Sequence, residues 1–252
     1  MNDIAEFYND LTPFYHLLYP DWEASAAEQV AALDSIIRDY CGADVQTVLD
    51  AACGIGTQSL GLAARGYQVT ASDISPEAVA RTRAAAAQRG LALAVRVADI
   101  RTLRQVHQQQ FDVVLACDNA MPHLLSDAAL LEGLRQFSQC IRPGGGCILS
   151  VRDYAALPRE GVQFVPRLTH ATPEGRTVLF DIWVFDGDCY DMTTYIVEDI
   201  GQPTARTHVI RGGRYYCVTI ATLEALMAQA GLTHVTTLRD RFFQPVLVGR
   251  KP

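Results

Sequence analysis

The ten residues Val48-Leu49-Asp50-Ala51-Ala52-Cys53-Gly54-Ile55-Gly56-Thr57 constrain the fold of this chain more than any other stretch. They read as an apolar strand ending on a carboxylate, a tight turn with two glycines, and the start of a helix. Glycine carries no Cβ and tolerates positive φ, so such a turn brings backbone close to a ligand. A second apolar run, 67–72, ends at Asp73, the next carboxylate able to close a nucleotide site. Together the two strand ends describe a pocket for an adenosine-containing cofactor.

Strand and helix alternate from residue 45 to about 152, with strands expected at 45–50, 67–72, 92–98, 111–117 and 147–152. Ser75-Pro76-Glu77 supplies an N-cap, a first-turn proline and a first-turn acid. Leu130, Leu131, Leu134, Phe137 and Ile141 form one helical stripe, which Arg142-Pro143-Gly144-Gly145-Gly146 ends. Such alternation implies right-handed crossovers and a parallel sheet with helices on both faces. Ligands of these sheets bind beyond the carboxyl ends of the strands, near the switch in strand order. The residues that matter then lie at 50–56, at Asp73 and Asp99, and at 117–123 and 152–154.

The flanks read differently. An aromatic arm (Phe7, Tyr8, Phe14, Tyr15, Tyr19) precedes a helix expected over 21–40. Between 161 and 220 the pattern becomes β-rich, with one hairpin through Asp186-Gly187-Asp188 and another around Gly212-Gly213. A last helix over 223–230, capped by Thr222, and strands at 234–238 and 245–249 return to the main sheet. The expected fold is α/β, a doubly wound seven-stranded sheet, mostly parallel with one antiparallel strand at the end. It forms a single domain: an N-terminal arm and helix at 1–44, a cofactor-binding core at 45–154, an antiparallel β insertion at 155–220, and a closing helix and strands at 221–252.

Composition narrows the class of function. The chain has 252 residues, 49% of them hydrophobic, enough for one large core. A net charge of −7 without any basic block argues against a nucleic-acid partner. Seven cysteines, odd in number and never in a CxxC pair, fit a reducing cytoplasm. No secretion signal and no apolar run of membrane-spanning length is visible, so a cytoplasmic protein without membrane contact is expected. His16, His107, His170, His208 and His234 lie far apart without ligand spacing, so no metal is expected.

The turn itself discriminates among cofactors. A dinucleotide fingerprint needs a third glycine where Ser59 stands, and a phosphate loop needs a lysine that the segment lacks. The segment instead resembles the first motif of class I S-adenosylmethionine (SAM)-dependent methyltransferases, D/E-x-G-x-G-x-G. Asp50, Gly54 and Gly56 match it, and Ala52 replaces the first glycine. Asp73 ends the second strand, Ala98-Asp99-Ile100 follows the third, and Phe111-Asp112-Val113-Val114-Leu115 resembles the fourth. Phe137-Ser138-Gln139-Cys140-Ile141-Arg142-Pro143-Gly144-Gly145 resembles the loop before the fifth.

That resemblance implies SAM as methyl donor, with S-adenosylhomocysteine (SAH) as product. It places SAM against Asp50, Ala52, Cys53, Gly54 and Gly56 of the turn. Asp73 would hold the ribose hydroxyls beside Ile74; Asp99, Ile100 and Cys117 complete the wall. A carboxylate suits two hydroxyls because it accepts both hydrogen bonds.

A finer resemblance concerns the acceptor. Asp118-Asn119-Ala120-Met121-Pro122-His123-Leu124 and Val151-Arg152-Asp153-Tyr154 resemble segments of glycine and glycine/sarcosine N-methyltransferases. The arm Tyr15-His16-Leu17-Leu18-Tyr19-Pro20-Asp21-Trp22 resembles their N-terminal lid. Carried over, Asn119 and Arg152 bind the carboxylate of an amino-acid acceptor, joined by Tyr19, while His123, Tyr8 and Tyr19 surround the cofactor and the transferring methyl. His123 would hydrogen-bond the cofactor or take a proton from the acceptor. The implied reaction is methylation of the amine of a small, glycine- or sarcosine-like acceptor. Methylation of another small molecule on oxygen or nitrogen, or SAM binding without catalysis, remain as alternatives. Simpler uses also stand: Asp50 as a cap, Asp99 as a turn acid, Arg152 paired with Asp153 or Asp118, and Tyr8 and Tyr19 as packing. The insertion could line the acceptor pocket or build a homodimer.

Overall fold

The computed structural model describes residues 4–173 and 175–252; the first three residues of the expected arm and position 174 of the insertion lie outside them. The main sheet is built from β1 (Thr47–Asp50), β2 (Gln68–Asp73), β3 (Ala94–Val97), β4 (Phe111–Ala116), β5 (Ile141–Ser150), β10 (Thr233–Leu238) and β11 (Val246–Arg250). Their order is β10-β11-β5-β4-β1-β2-β3. Strand order therefore reverses between β1 and β4, and the carboxyl ends of these two strands open the crevice where ligands bind in such sheets.

Alternating side chains of the central strands feed two cores. Val48, Val113, Leu115 and Ile148 cluster with Val30, Leu33 and Ile36 of α2 (Trp22–Ile36). Leu49, Val114, Ala116 and Leu149 cluster instead with α6 (Asp127–Cys140) and α7 (Ile220–Gln229). Every central strand is covered on both faces, which explains the near-continuous apolar runs of their sequences. Ser75 caps α4 (Pro76–Gln88), accepting the Ala78 N–H at 3.0 Å.

The insertion folds as a four-stranded antiparallel meander, β6 (Val162–Thr172), β7 (Gly175–Asp186), β8 (Cys189–Asp199) and β9 (Arg206–Tyr216). Its Trp183, Tyr190, Ile196 and Ile210 join the core beneath α6. The arm becomes α1 (Ile4–Leu11) and a 3-10 turn, Thr12–Leu18. Gly213 of β9 lies against the Phe7 ring of α1, so the arm is seated on the insertion.

Several boundaries differ from expectation. The segment Arg142-Pro143-Gly144-Gly145-Gly146 is not a loop: β5 begins at Ile141, directly after α6. A register shift opposite, between Phe111 and Val113, absorbs the extra residues, and Arg142 pairs there with Asp112. Gly212-Gly213 is not a hairpin turn, because β9 runs through it with a register shift opposite Met192 and Thr194. The cap of α7 is Thr219, which accepts the Thr222 N–H at 3.1 Å. The antiparallel strand, β11, is last in the chain but second from the sheet margin, between β10 and β5. Helix α2 stops at Ile36, and a wider π-turn carries the chain to Cys41. Among the described residues no helix is long and apolar enough to cross a membrane.

Candidate active site

A cavity of about 840 Å³ opens at the carboxyl ends of β1, β2 and β4. Ala52 and Gly54 form its floor, Asp73 and Ile74 one wall, and Asp99, Ile100 and Cys117 another. Asp73 organises the floor. One of its oxygens accepts the Gly54 N–H at 2.8 Å and the other the Ser75 N–H at 2.9 Å. Burial raises the Asp73 pKa, while these backbone donors act the other way. The Asp99 carboxylate also faces the cavity but is forked by Arg101, with contacts of 2.5 to 3.1 Å.

Three of the expected cofactor residues stand behind this wall. Asp50 is fully buried and holds the turn, accepting the Ser59 hydroxyl at 2.5 Å and the Ala52 N–H at 3.4 Å. Its pKa rises to about 7 through loss of solvent. Cys53 is buried, its N–H donates to the Ser72 carbonyl at 2.9 Å, and burial holds its thiol protonated. Gly56 has φ +89°, and a Cβ there would come within 2.9 Å of Leu60 and 3.1 Å of Thr82. These residues shape the turn, and Gly54, with φ +52° and nothing within 4 Å of its missing Cβ, presents it to the cavity.

A second cavity, of about 490 Å³, lies beside the first. Asn119, Arg152 and Tyr19 line it, so Tyr19 faces this chamber and not the one expected to hold the cofactor. The insertion supplies Arg167, Met192, Thr194 and Tyr215 to the same wall, so it lines this second chamber. The Arg152 guanidinium lies 4.7 Å above the Trp183 ring and donates to the Tyr190 hydroxyl at 2.9 Å. It pairs with neither of the expected carboxylates: Asp153 is engaged by Arg239, and Asp118 by two tyrosines. Asn119 is spent on the loop. Its Nδ2 donates to the Tyr154 hydroxyl at 2.7 Å and its Oδ1 accepts the Arg152 N–H at 3.0 Å. Arg167, by contrast, is ion-paired to buried Asp181 at 2.6 Å.

Tyr8, Tyr15 and Asp118 line both chambers and so stand at the boundary between them, where any passage must run. Asp118 (φ +57°) and Asn119 (φ +66°) form a left-handed pair directly after β4. The Asp118 N–H donates to the Ser150 hydroxyl at 2.7 Å. One Asp118 oxygen accepts the hydroxyls of Tyr15 at 3.0 Å and Tyr19 at 2.8 Å. His123 has no free nitrogen: Nδ1–H donates to the Arg214 carbonyl at 2.8 Å, and Nε2 accepts the Tyr8 hydroxyl at 2.7 Å. Loss of solvent lowers its pKa to about 4, so the ring is neutral. It therefore fixes Tyr8, and the expected direct bond to cofactor or acceptor proton has no nitrogen to use.

Asp118 and Tyr15 lie within the segments expected at the site but had no role assigned to them there, and Arg167 and Tyr215 were not expected at the site. Only Asp118 carries a local signal, since Asp-Asn directly after a strand favours the left-handed region. The others reach the site from distant strands and the arm. Among the described residues no group of three or more His, Cys, Asp or Glu side chains is placed to hold a metal.

Residues 48–145 match the family model described as "Methyltransferase domain". This stretch is a class I SAM-dependent methyltransferase domain. A glycine/sarcosine N-methyltransferase of Parasynechococcus marenigrum is 30% identical to this methyltransferase over 156 residues, covering 62% of this chain. The match covers 54% of that relative, so this chain spans about half its length. A ubiquinone biosynthesis O-methyltransferase of Xanthomonas axonopodis pv. citri is 28% identical over 169 residues, 64% of this chain and 69% of the relative. In fold, Streptomyces venezuelae DesVI superposes with a TM-score of 0.79 across 100% of both chains, at 16% identity.

The residues present fit SAM as methyl donor. The first chamber has the volume of a cofactor-sized site. Its floor is open backbone at Gly54, and a carboxylate at the end of β2 has lone pairs left over from its two backbone donors. A nucleoside-sized chamber thus adjoins a second one, with Asp118 the one carboxylate that lines both among the described residues.

Proposed function

We propose that this methyltransferase acts on the amine of a small acceptor that carries a carboxylate, with glycine- and sarcosine-like molecules as the first candidates. The observation that carries this reading is Arg152. Its guanidinium lines the second chamber, rests on Trp183, and has no carboxylate partner among the described residues. A planar guanidinium grips a carboxylate in two places, which fixes the distance from carboxylate to nitrogen. The similarity to a glycine/sarcosine N-methyltransferase points the same way.

In this reading Asp73 accepts the ribose hydroxyls, Gly54 lets backbone approach, and Ile74, Ile100 and Cys117 pack the base. Bound SAM supplies an electrophilic methyl group whose leaving group is a neutral thioether. The protein then needs chiefly to align and exclude water, and alignment is worth roughly 7–11 kcal/mol of barrier. Tyr8, held by His123, and Tyr15 close the passage from the arm side.

Transfer to a hydroxyl, the activity named for the Xanthomonas relative, would need a group to take the hydroxyl proton. His123, with both nitrogens engaged, does not supply it, whereas an amine that enters in its neutral form has its lone pair free for attack. The test is SAH release with glycine, sarcosine and larger amino acids against methylamine and dimethylamine. Turnover confined to the carboxylate-bearing amines is expected. Turnover on no carboxylate-bearing amine, with a phenol or sugar methylated instead, overturns the acceptor assignment.

A further inference from the structure

We propose that Asp118 is the residue that recognises the positive charge travelling with the methyl group, as sulfonium in the donor chamber and as ammonium after transfer. The inference rests on SAM as donor and is independent of which acceptor fills the second chamber.

Methyl transfer requires the donor sulfur and the acceptor atom to meet where the chambers join. Three side chains line both chambers there, and of Tyr8, Tyr15 and Asp118 only the last is charged. Burial raises the pKa values of both tyrosines, so they remain neutral. Asp118 has no Lys, Arg or His within ion-pair distance among the described residues; Arg167 in the same chamber feels its charge from farther off, but is itself ion-paired to Asp181. Tyr15 and Tyr19 both donate to one of its oxygens, while the other has only the Gln244 amide at 3.5 Å. A partly buried carboxylate without a cation is costly, and its second oxygen is left with unfilled acceptor capacity. A sulfonium in the passage is the missing counter-charge.

The charge accounting of the step fits this place. The lone pair of a neutral acceptor nitrogen forms the new N–CH₃ bond as the electron pair of the S–CH₃ bond stays on sulfur. Positive charge moves from sulfur to nitrogen across the passage, and the surplus N–H proton later leaves to water. A carboxylate bordering both chambers faces the charge before and after the step. Neutral SAH then loses a contact that SAM had.

Calorimetric titration of the intact protein with SAM and with SAH tests this without any acceptor. The wild-type protein should bind SAM more tightly than SAH, and Asp118→Asn should shrink the ratio of the two affinities by about ten- to hundredfold. Asparagine accepts the left-handed backbone and still receives the tyrosine hydroxyls, so retained SAH binding reports an intact site. If Asp118 only latched the arm through Tyr15 and Tyr19, the variant would weaken both ligands alike, and a ratio changed by less than about threefold overturns the inference. Should Asp118→Asn fail to bind SAH, Asp118→Gly, which the same backbone accepts, is read by the same ratio. A wild-type protein that binds neither ligand overturns the donor assignment as well; one that binds both without preferring SAM overturns this inference alone.

Discussion

The Asp73 carboxylate accepts the Gly54 N–H at 2.8 Å, joining the end of β2 to the turn that follows β1. One side chain thereby sets the floor of the first chamber and faces into it. Replacing Asp73 by Ala should weaken SAM binding by at least about 2–3 kcal/mol, since charge-assisted hydrogen bonds are lost to both ligand and turn. Calorimetry reads the change; wild-type affinity in the variant would remove Asp73 from the donor site.

Arg152 makes the acceptor assignment measurable. Arg152→Ala should raise KM for a carboxylate-bearing amine tenfold or more, about 1.4 kcal/mol, while SAM affinity stays unchanged. Arg152→Lys should recover only part of the loss, because an ammonium keeps the charge without the fork. The signature is discrimination between glycine and methylamine, which should narrow in both variants.

The two glycines of the turn should separate in their effects. Gly56→Ala forces a Cβ to 2.9 Å from Leu60 at φ +89°, so a stability loss of roughly 1–3 kcal/mol is expected in denaturant titrations. Gly54→Ala meets no atom within 4 Å, so the fold should lose only the backbone preference, about 1 kcal/mol. Its main effect should be weaker SAM binding, because the new methyl group enters the chamber.

Asp50 gives stability a particular pH dependence. Its pKa is raised to about 7 from an ordinary value of 3.8, so between these limits the folded state holds a proton that the unfolded chain has released. Stability from this group is complete below about pH 4 and is lost as pH rises through 7. Asp50→Asn should flatten that part of the profile relative to wild type. Equal slopes in the two proteins across this window would show that Asp50 ionises normally.

His123 behaves oppositely. Its pKa falls from 6.5 to about 4, so stability is present above 6.5 and lost as pH drops through 4. Its ring resonances should stay unchanged by NMR from pH 8 down to about 5. A titration near 6.5 would contradict the neutral, doubly bonded ring.

Much of this arrangement was legible because it is local. The strand and glycine turn at Asp50 to Thr57, the cap at Ser75 and the carboxylate ending β2 are short-range patterns; the helix expected there starts later, at Ser59, and the structure brings Gly54 and Asp73 together. What failed to show was the depth of each residue. Asp50, Cys53 and Gly56 share a motif with Gly54, yet backbone geometry turns them behind the wall. His123 and Asn119 were legible as neighbours of the site, but their partners, Arg214 and Tyr154, lie 91 and 35 residues away. Glycine pairs misled in strands: register shifts let β5 and β9 run through Gly144-Gly145 and Gly212-Gly213, where turn chemistry suggested a stop.

The passage shared by Tyr8, Tyr15 and Asp118 has a pharmacological consequence. The two chambers share these three residues in their linings. A single inhibitor joining a nucleoside head to a carboxylate-bearing amine tail through a short cationic linker matches the whole space. Its selectivity would come from the linker, where the Asp118 carboxylate borders both chambers.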